Sequence, residues 1–64
     1  MKVRDVIKRI KADSWYYSYT DGDHHHYRHD TKPGKVTVPG HPSDEVKPGT
    51  LSGIWRQAGI KRPR

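Results

Sequence analysis

Apolar residues recur along this chain with two different periods. In the first thirteen residues Val3, Val6, Ile7 and Ile10 stand at i, i+3, i+4 and i+7. That spacing collects them on one stripe of a helix, so Met1 to Asp13 is expected to be helical. Arg4, Lys8 and Lys11 fall together off the stripe. Near the other end Leu51, Ile54, Trp55 and Ala58 repeat the spacing. Thr50 is the expected N-cap of this second helix, and Gly59 stands where a glycine closes one. The middle of the chain reads differently. Trp15 to Thr20 holds four aromatics in six residues and suits a strand. Asp21-Gly22 is a hairpin signal, with Asp23 to His29 as the return strand. Thr31-Lys32-Pro33-Gly34 suits a second turn. Val36-Thr37-Val38 is a short third strand, stopped by Pro39-Gly40, and residues 39–49 form the one long loop.

The expected order is helix, three antiparallel strands, helix. Two apolar helix faces then share one side of the sheet, giving an α+β two-layer sandwich. Residues 1–60 would make one domain, with the basic tail 61–64 frayed. At 64 residues and 30% apolar content, such a domain is thin. It has no room for a deep pocket, so its chemistry must sit on a surface that a large ligand covers.

Charge narrows the partner. The chain carries +6, with a pI near 9.9. The excess is concentrated in residues 1–11 and 56–64. A small basic domain favours a polyanion, most commonly nucleic acid. Cysteine is absent, which excludes disulfide frameworks and zinc sites built on cysteine pairs. No apolar run follows the first methionine and none is long enough to span a bilayer, so a soluble, cytoplasmic protein is expected.

Strand alternation sorts the histidine cluster. His24, His26 and Arg28 share one face of the second strand; His25, Tyr27 and His29 share the other. Tyr27 is the only large apolar residue there, so its face is the buried one. His24, His26 and Arg28 then point to the open face. Imidazoles beside a guanidinium suit phosphodiester binding or cleavage, because they supply cations for phosphate and a group that exchanges protons near neutrality. His25 and His41 are expected to be plain surface polarity. His29 is expected either to hold the second turn or to take part in proton transfer. No carboxylate joins His24 and His26 at clear ligand spacing, so neither a metal nor another cofactor is expected. Tyr16 and Ser18 should share one face of the first strand, and Trp15, Tyr17 and Tyr19 the other. Trp15 and Tyr17 are the core candidates, and one tyrosine is a candidate for contacting a base.

These residues add up to a pattern. The opening MKVRDVIKRI, the run Gly22-Asp23-His24, Tyr27 and His29, the stretch TKPGKVTVPGHP at 31–42, PGTL at 48–51 and RQAGI at 56–60 together resemble the HicA family of toxins. The resemblance covers nearly the whole chain. It implies a fold like the double-stranded-RNA-binding domain, a metal-independent ribonuclease that cleaves mRNA and stops growth, and a HicB-type antitoxin that covers the active surface. It places the family's essential histidine at His24. Ser14 stands where the family usually has glycine, Asp23 where it commonly has serine, Asp30 where proline is usual, and Trp55 where a smaller aliphatic is common.

The expected function is therefore endoribonuclease. Without a metal, RNA is cleaved most simply when its own 2′-hydroxyl attacks the adjacent phosphorus. That needs a base, an acid and cations for the developing charge. His24 is the expected acid or base, with His26 or His29 as its counterpart. Arg28, Lys32 and Lys35 are the expected phosphate contacts, with Lys8 on the first helix as a further one. The alternative is a non-catalytic RNA-binding module of the same fold. A third reading is a subunit whose ligand is only an acidic partner protein.

Overall fold

The computed structural model describes residues 1–60; the expected frayed tail, 61–64, lies outside the described residues. The elements run α1 (Val3–Ala12), β1 (Tyr16–Asp21), β2 (His24–Arg28), β3 (Val36–Pro39) and α2 (Pro48–Ala58). The strands form one antiparallel sheet in the order β1-β2-β3. The helix-sheet-helix order is the expected one, and the molecule is a slab 30 × 29 × 17 Å.

Both helices pack on the same side of the sheet. Val3, Val6 and Ile10 of α1 and Ile54, Trp55 and Ala58 of α2 are buried in one cluster with Tyr27, Val36 and Val38. Trp15, Val46 and Ile60 complete it. Burying one such side chain contributes about 1.5–3 kcal/mol, so these twelve residues carry the fold. They cover β2 and β3 only. Every residue of β1 is exposed, so this strand overhangs the core. Tyr17, an expected core residue, is therefore 51% exposed. It lies on the helix side of the sheet but outside the buried cluster, with its ring edge-on to Tyr27 at 5.9 Å.

The hairpin β1–β2 closes through Gly22 and Asp23, with Asp21 paired to His24. Gly22 has φ 63° and Asp23 a negative φ, the sign pattern of a type II′ turn. Between Tyr17 and Tyr19 the register slips by one residue. Ser18 is the extra residue of this bulge, and bulges reverse the alternation beyond them. Tyr17 pairs with Tyr27, whereas Tyr19 pairs with His26. The two tyrosines expected on one face are thus on opposite faces.

α2 begins at Pro48, ahead of the expected N-cap at Thr50. Lys47 is the N-cap residue, with extended backbone and no side-chain cap. Proline fits the first helical position because its fixed φ suits a helix and its missing N–H would be unpaired there anyway. The long loop before α2 is tied down by the start of the chain. Val3 and Val46 donate their N–H groups to the carbonyls of Asp44 and Met1, both at 2.9 Å. The outer edge of β3 is covered too, because the Thr37 N–H donates to Gln57 Oε1 at 3.3 Å.

The helices end alike. After α2, Gly59 is left-handed (φ 65°); its N–H reaches the Arg56 carbonyl and the Ile60 N–H reaches that of Trp55. After α1, Ser14 is left-handed (φ 71°); its N–H reaches Lys11 and the Trp15 N–H reaches Ile10. Both are Schellman closures, each followed by an apolar residue that enters the core. At α2 the closing residue is glycine. At α1 it is a serine held in a region that costs an L-residue about 1–2 kcal/mol and that glycine enters freely. Ser14→Gly should therefore stabilise the fold by up to about 1 kcal/mol, raising Tm by about 4–8 °C. Thermal unfolding followed by circular dichroism checks this, and an unchanged or lower Tm contradicts it.

Candidate active surface

The open face of the sheet is organised in cross-strand rows. Tyr16 stands opposite Arg28; Tyr19, His26 and Thr37 form the middle row; Asp21, His24 and Pro39 form the row beside the hairpin turn. Directly opposed side chains have Cβ atoms about 4.5–5.5 Å apart. Lys35 enters this face just ahead of β3, where its Nζ donates to the Tyr19 hydroxyl at 3.3 Å.

The four histidines of the cluster play different parts. His24 is exposed, and among the described residues no group is hydrogen-bonded to its ring. Its cross-strand neighbour is Asp21. His26 is on the expected face but is only 8% exposed. Tyr19 lies over it, ring centroids 4.4 Å apart and 25° from parallel. Its Nδ1 is 2.9 Å from Thr37 Oγ1. Loss of water first, and the nearby Lys35 second, lower its pKa from the usual 6.5, so the ring is neutral at pH 7.

His25 and His29 are committed on the helix side. The His25 Nε2 is 2.9 Å from the Gly40 carbonyl, which can only accept, so this nitrogen carries the proton. Its Nδ1 then accepts from the Thr20 hydroxyl (3.2 Å), and Thr20 in turn accepts from the Tyr17 hydroxyl (2.7 Å). His25, expected as plain surface polarity, thus joins the ends of all three strands. His29 donates from Nε2 to the Asp13 carbonyl at 2.8 Å. Its Nδ1 accepts the N–H groups of Thr31 and Lys32, at 3.1 and 3.2 Å. It therefore holds the second turn against the end of α1, edge-on to Trp15 at 5.1 Å.

The expected cations divide as well. Arg28 and Lys35 are on the open face with His24. Lys32 is drawn to the other side, where its Nζ pairs with the Asp13 carboxylate and donates to the Ala58 carbonyl at 3.1 Å. It closes the joint between the C-terminal ends of α1 and α2. Lys8 is two residues from Val6 and from Ile10, about 160° around the helix from each. It points away from the sheet, and the structure does not bring it to His24. Asp23 lies at the hairpin turn and lines a shallow cleft with Asp44 and Glu45.

Asp21 was not among the sequence candidates for this surface, and Tyr19 was expected on the opposite face. Asp21 joins the His24 row because a two-residue loop pairs the residues on either side of it, a rule that the Asp-Gly signal already contained. Tyr19 joins it through the Ser18 bulge, for which the sequence carries no clear signal. Among the described residues, no three His, Cys, Asp or Glu side chains are placed to hold a metal.

A family model described as the HicA toxin of bacterial toxin–antitoxin systems matches residues 3–60. The chain belongs to this family. No curated protein matches it. Membership agrees with the fold: a three-stranded antiparallel sheet with two helices on one face, as in double-stranded-RNA-binding domains. As a HicA toxin it works within a toxin–antitoxin system, paired with an antitoxin. Among the described residues no helix is long and apolar enough to cross a membrane.

The Asp13–Lys32 pair predicts how acid acts on this HicA fold. Hydrogen bonding to Lys32, followed by desolvation acting the other way and the charge of Lys32, holds the Asp13 carboxyl below its usual 3.8. Its contribution is present above pH 3.8 and lost as pH falls through the lowered folded value. Lys32→Met should therefore be less stable than the parent at pH 7, and the gap should narrow below pH 3.8. Urea unfolding at both pH values measures it; a gap independent of pH rules out the linkage.

Proposed function

We propose that this toxin is an endoribonuclease that cleaves mRNA with His24 as its acid–base group. The observation that carries this reading is the contrast among the histidines. His25, His26 and His29 are spent on hydrogen bonds within the fold, whereas His24 stands exposed beside Asp21, on the face that also holds Arg28 and Lys35.

In this reading Arg28 and Lys35 hold phosphate oxygens of the RNA and offset the charge that builds on the phosphorane. His24 takes the proton of the 2′-hydroxyl as that oxygen attacks phosphorus. The bond to the 5′ oxygen breaks, leaving a 2′,3′-cyclic phosphate on one fragment. The departing 5′ oxygen takes a proton from solvent or from His24. With His26 and His29 engaged elsewhere, one imidazole serves the reaction, and Asp21 stands ready to orient it. A single group of this kind contributes about 10²- to 10⁴-fold in rate. The enzyme is accordingly slow, which suits a toxin whose damage accumulates.

A HicB-type antitoxin neutralises the toxin by covering the open face. The surface needs no lid of its own in that arrangement, since the partner protein excludes the substrate.

His24→Ala should lower RNA cleavage by about 10²- to 10⁴-fold and relieve growth arrest on induced expression, while far-UV circular dichroism stays unchanged. A deoxyribose at the cleaved position should block the wild-type reaction, because the attacking hydroxyl is gone. Cleavage of DNA at the RNA rate, or full activity in His24→Ala, sinks the catalytic assignment. RNA binding retained with no cleavage by the wild type would instead favour a plain RNA-binding module.

A further inference from the structure

Tyr19 presents an aromatic plane to solvent in the row next to His24. Its inner side lies on the His26 ring at 4.4 Å, nearly parallel. Its hydroxyl is held by Lys35 Nζ at 3.3 Å. The residue is nevertheless 44% exposed. The other two exposed tyrosines of β1 differ. Tyr17 faces the helix side of the sheet, edge-on to Tyr27, with its hydroxyl used by Thr20. Tyr16 is on the open face but two rows from His24, beside Arg28.

We propose that Tyr19 is a stacking platform for one unpaired nucleobase next to the scissile phosphate, and that His26 is its positioning residue. This rests on the ribonuclease reading above and names its substrate class: single-stranded RNA. One row of the sheet is two residues, about 7 Å along the strand. A base stacked on Tyr19 therefore lies beside whatever phosphate reaches His24, with Lys35 at the edge of the same ring. Bases inside a duplex have no free face to offer, whereas every unpaired base has one. The cost of ordering the ring is met before RNA arrives, because His26 beneath it and Lys35 at its hydroxyl already fix its plane. His26 contributes through its flat neutral ring and its bond to Thr37, without touching the RNA.

The test uses the His24→Ala protein, so that RNA is bound and not cut. The probe is a short single-stranded RNA carrying 2-aminopurine, whose fluorescence falls when it stacks on an aromatic ring. Binding should quench the probe at one position, and a duplex of the same sequence should bind at least about tenfold more weakly. Adding Tyr19→Ala should abolish the quench and weaken binding by about tenfold or more. Tyr19→Phe should keep both. His26→Ala should reduce the quench and His26→Phe should restore it, whereas His26→Leu, which fills the space without a flat ring, should not restore it, as it would if the role of His26 were merely structural. Because Tyr19 is exposed, circular dichroism should show its variants folded; His26 is buried, so its variants are compared only where their spectra match that of the parent.

If Tyr19→Ala binds and quenches like the parent, the stacking proposal is overturned while the ribonuclease reading stands. The same holds if Tyr19→Ala weakens only antitoxin binding, which would give the ring to the protein partner. If the His24→Ala protein binds no RNA at all, the reading beneath the proposal falls with it.

Discussion

The packing of Tyr27, Val36 and Val38 against two helix stripes is the constraint on which the rest of this molecule depends. Those three side chains define the inner face of β2 and β3. Once they are inside, alternation leaves no choice about what is outside. His24, His26 and Arg28 must then face away from the helices. The apolar residues available suffice for two strands and not three, so β1 is left overhanging with its tyrosines in solvent. A small core thus leads directly to a broad, flat and accessible working face.

Polar bonds join the parts that this core does not reach. At one end His29 and Lys32 bring the second turn, the end of α1 and the end of α2 together. Trp15 adds its own bond, from Nε1 to the same Ala58 carbonyl at 3.3 Å. At the other end His25 ties β1, β2 and the exit of β3. Each of these groups has a partner, and the buried polar side-chain atoms described all have one. This economy has a chemical consequence. Of the four histidines clustered around β2, three are spent on the architecture and His24 is left on the sheet surface with its ring unengaged.

On the function proposed above, that division suits a toxin that is neutralised by its antitoxin. A concave pocket would shelter a group such as His24 from a partner as well as from water, whereas a flat sheet offers it to anything with a matching face. The cations on this sheet are few: Arg28 and Lys35, with Asp21 beside them. The larger positive charge lies on the outer side of α1, remote from His24. The charge suited to long-range attraction of a polyanion is thus separated from the cations beside His24.

The sequence by itself determined the elements, their order and the inner face of the sheet. Helix stripes, the Asp-Gly hairpin, the Val36–Val38 strand and the closing glycine of α2 are encoded by residues only a few positions apart, so their signals are local. His24 was also legible, since alternation from Tyr27 places it outside. What the tertiary structure decided is what neighbours do. The Ser18 bulge arises only when β1 pairs with β2, and it moves Tyr19 onto the open face. His26 is exposed by alternation but covered by that same tyrosine. Lys32 resembles a phosphate ligand until the ends of both helices converge on it. In each case the deciding contact joins residues remote in sequence or depends on strand register, and periodicity carries no information about either.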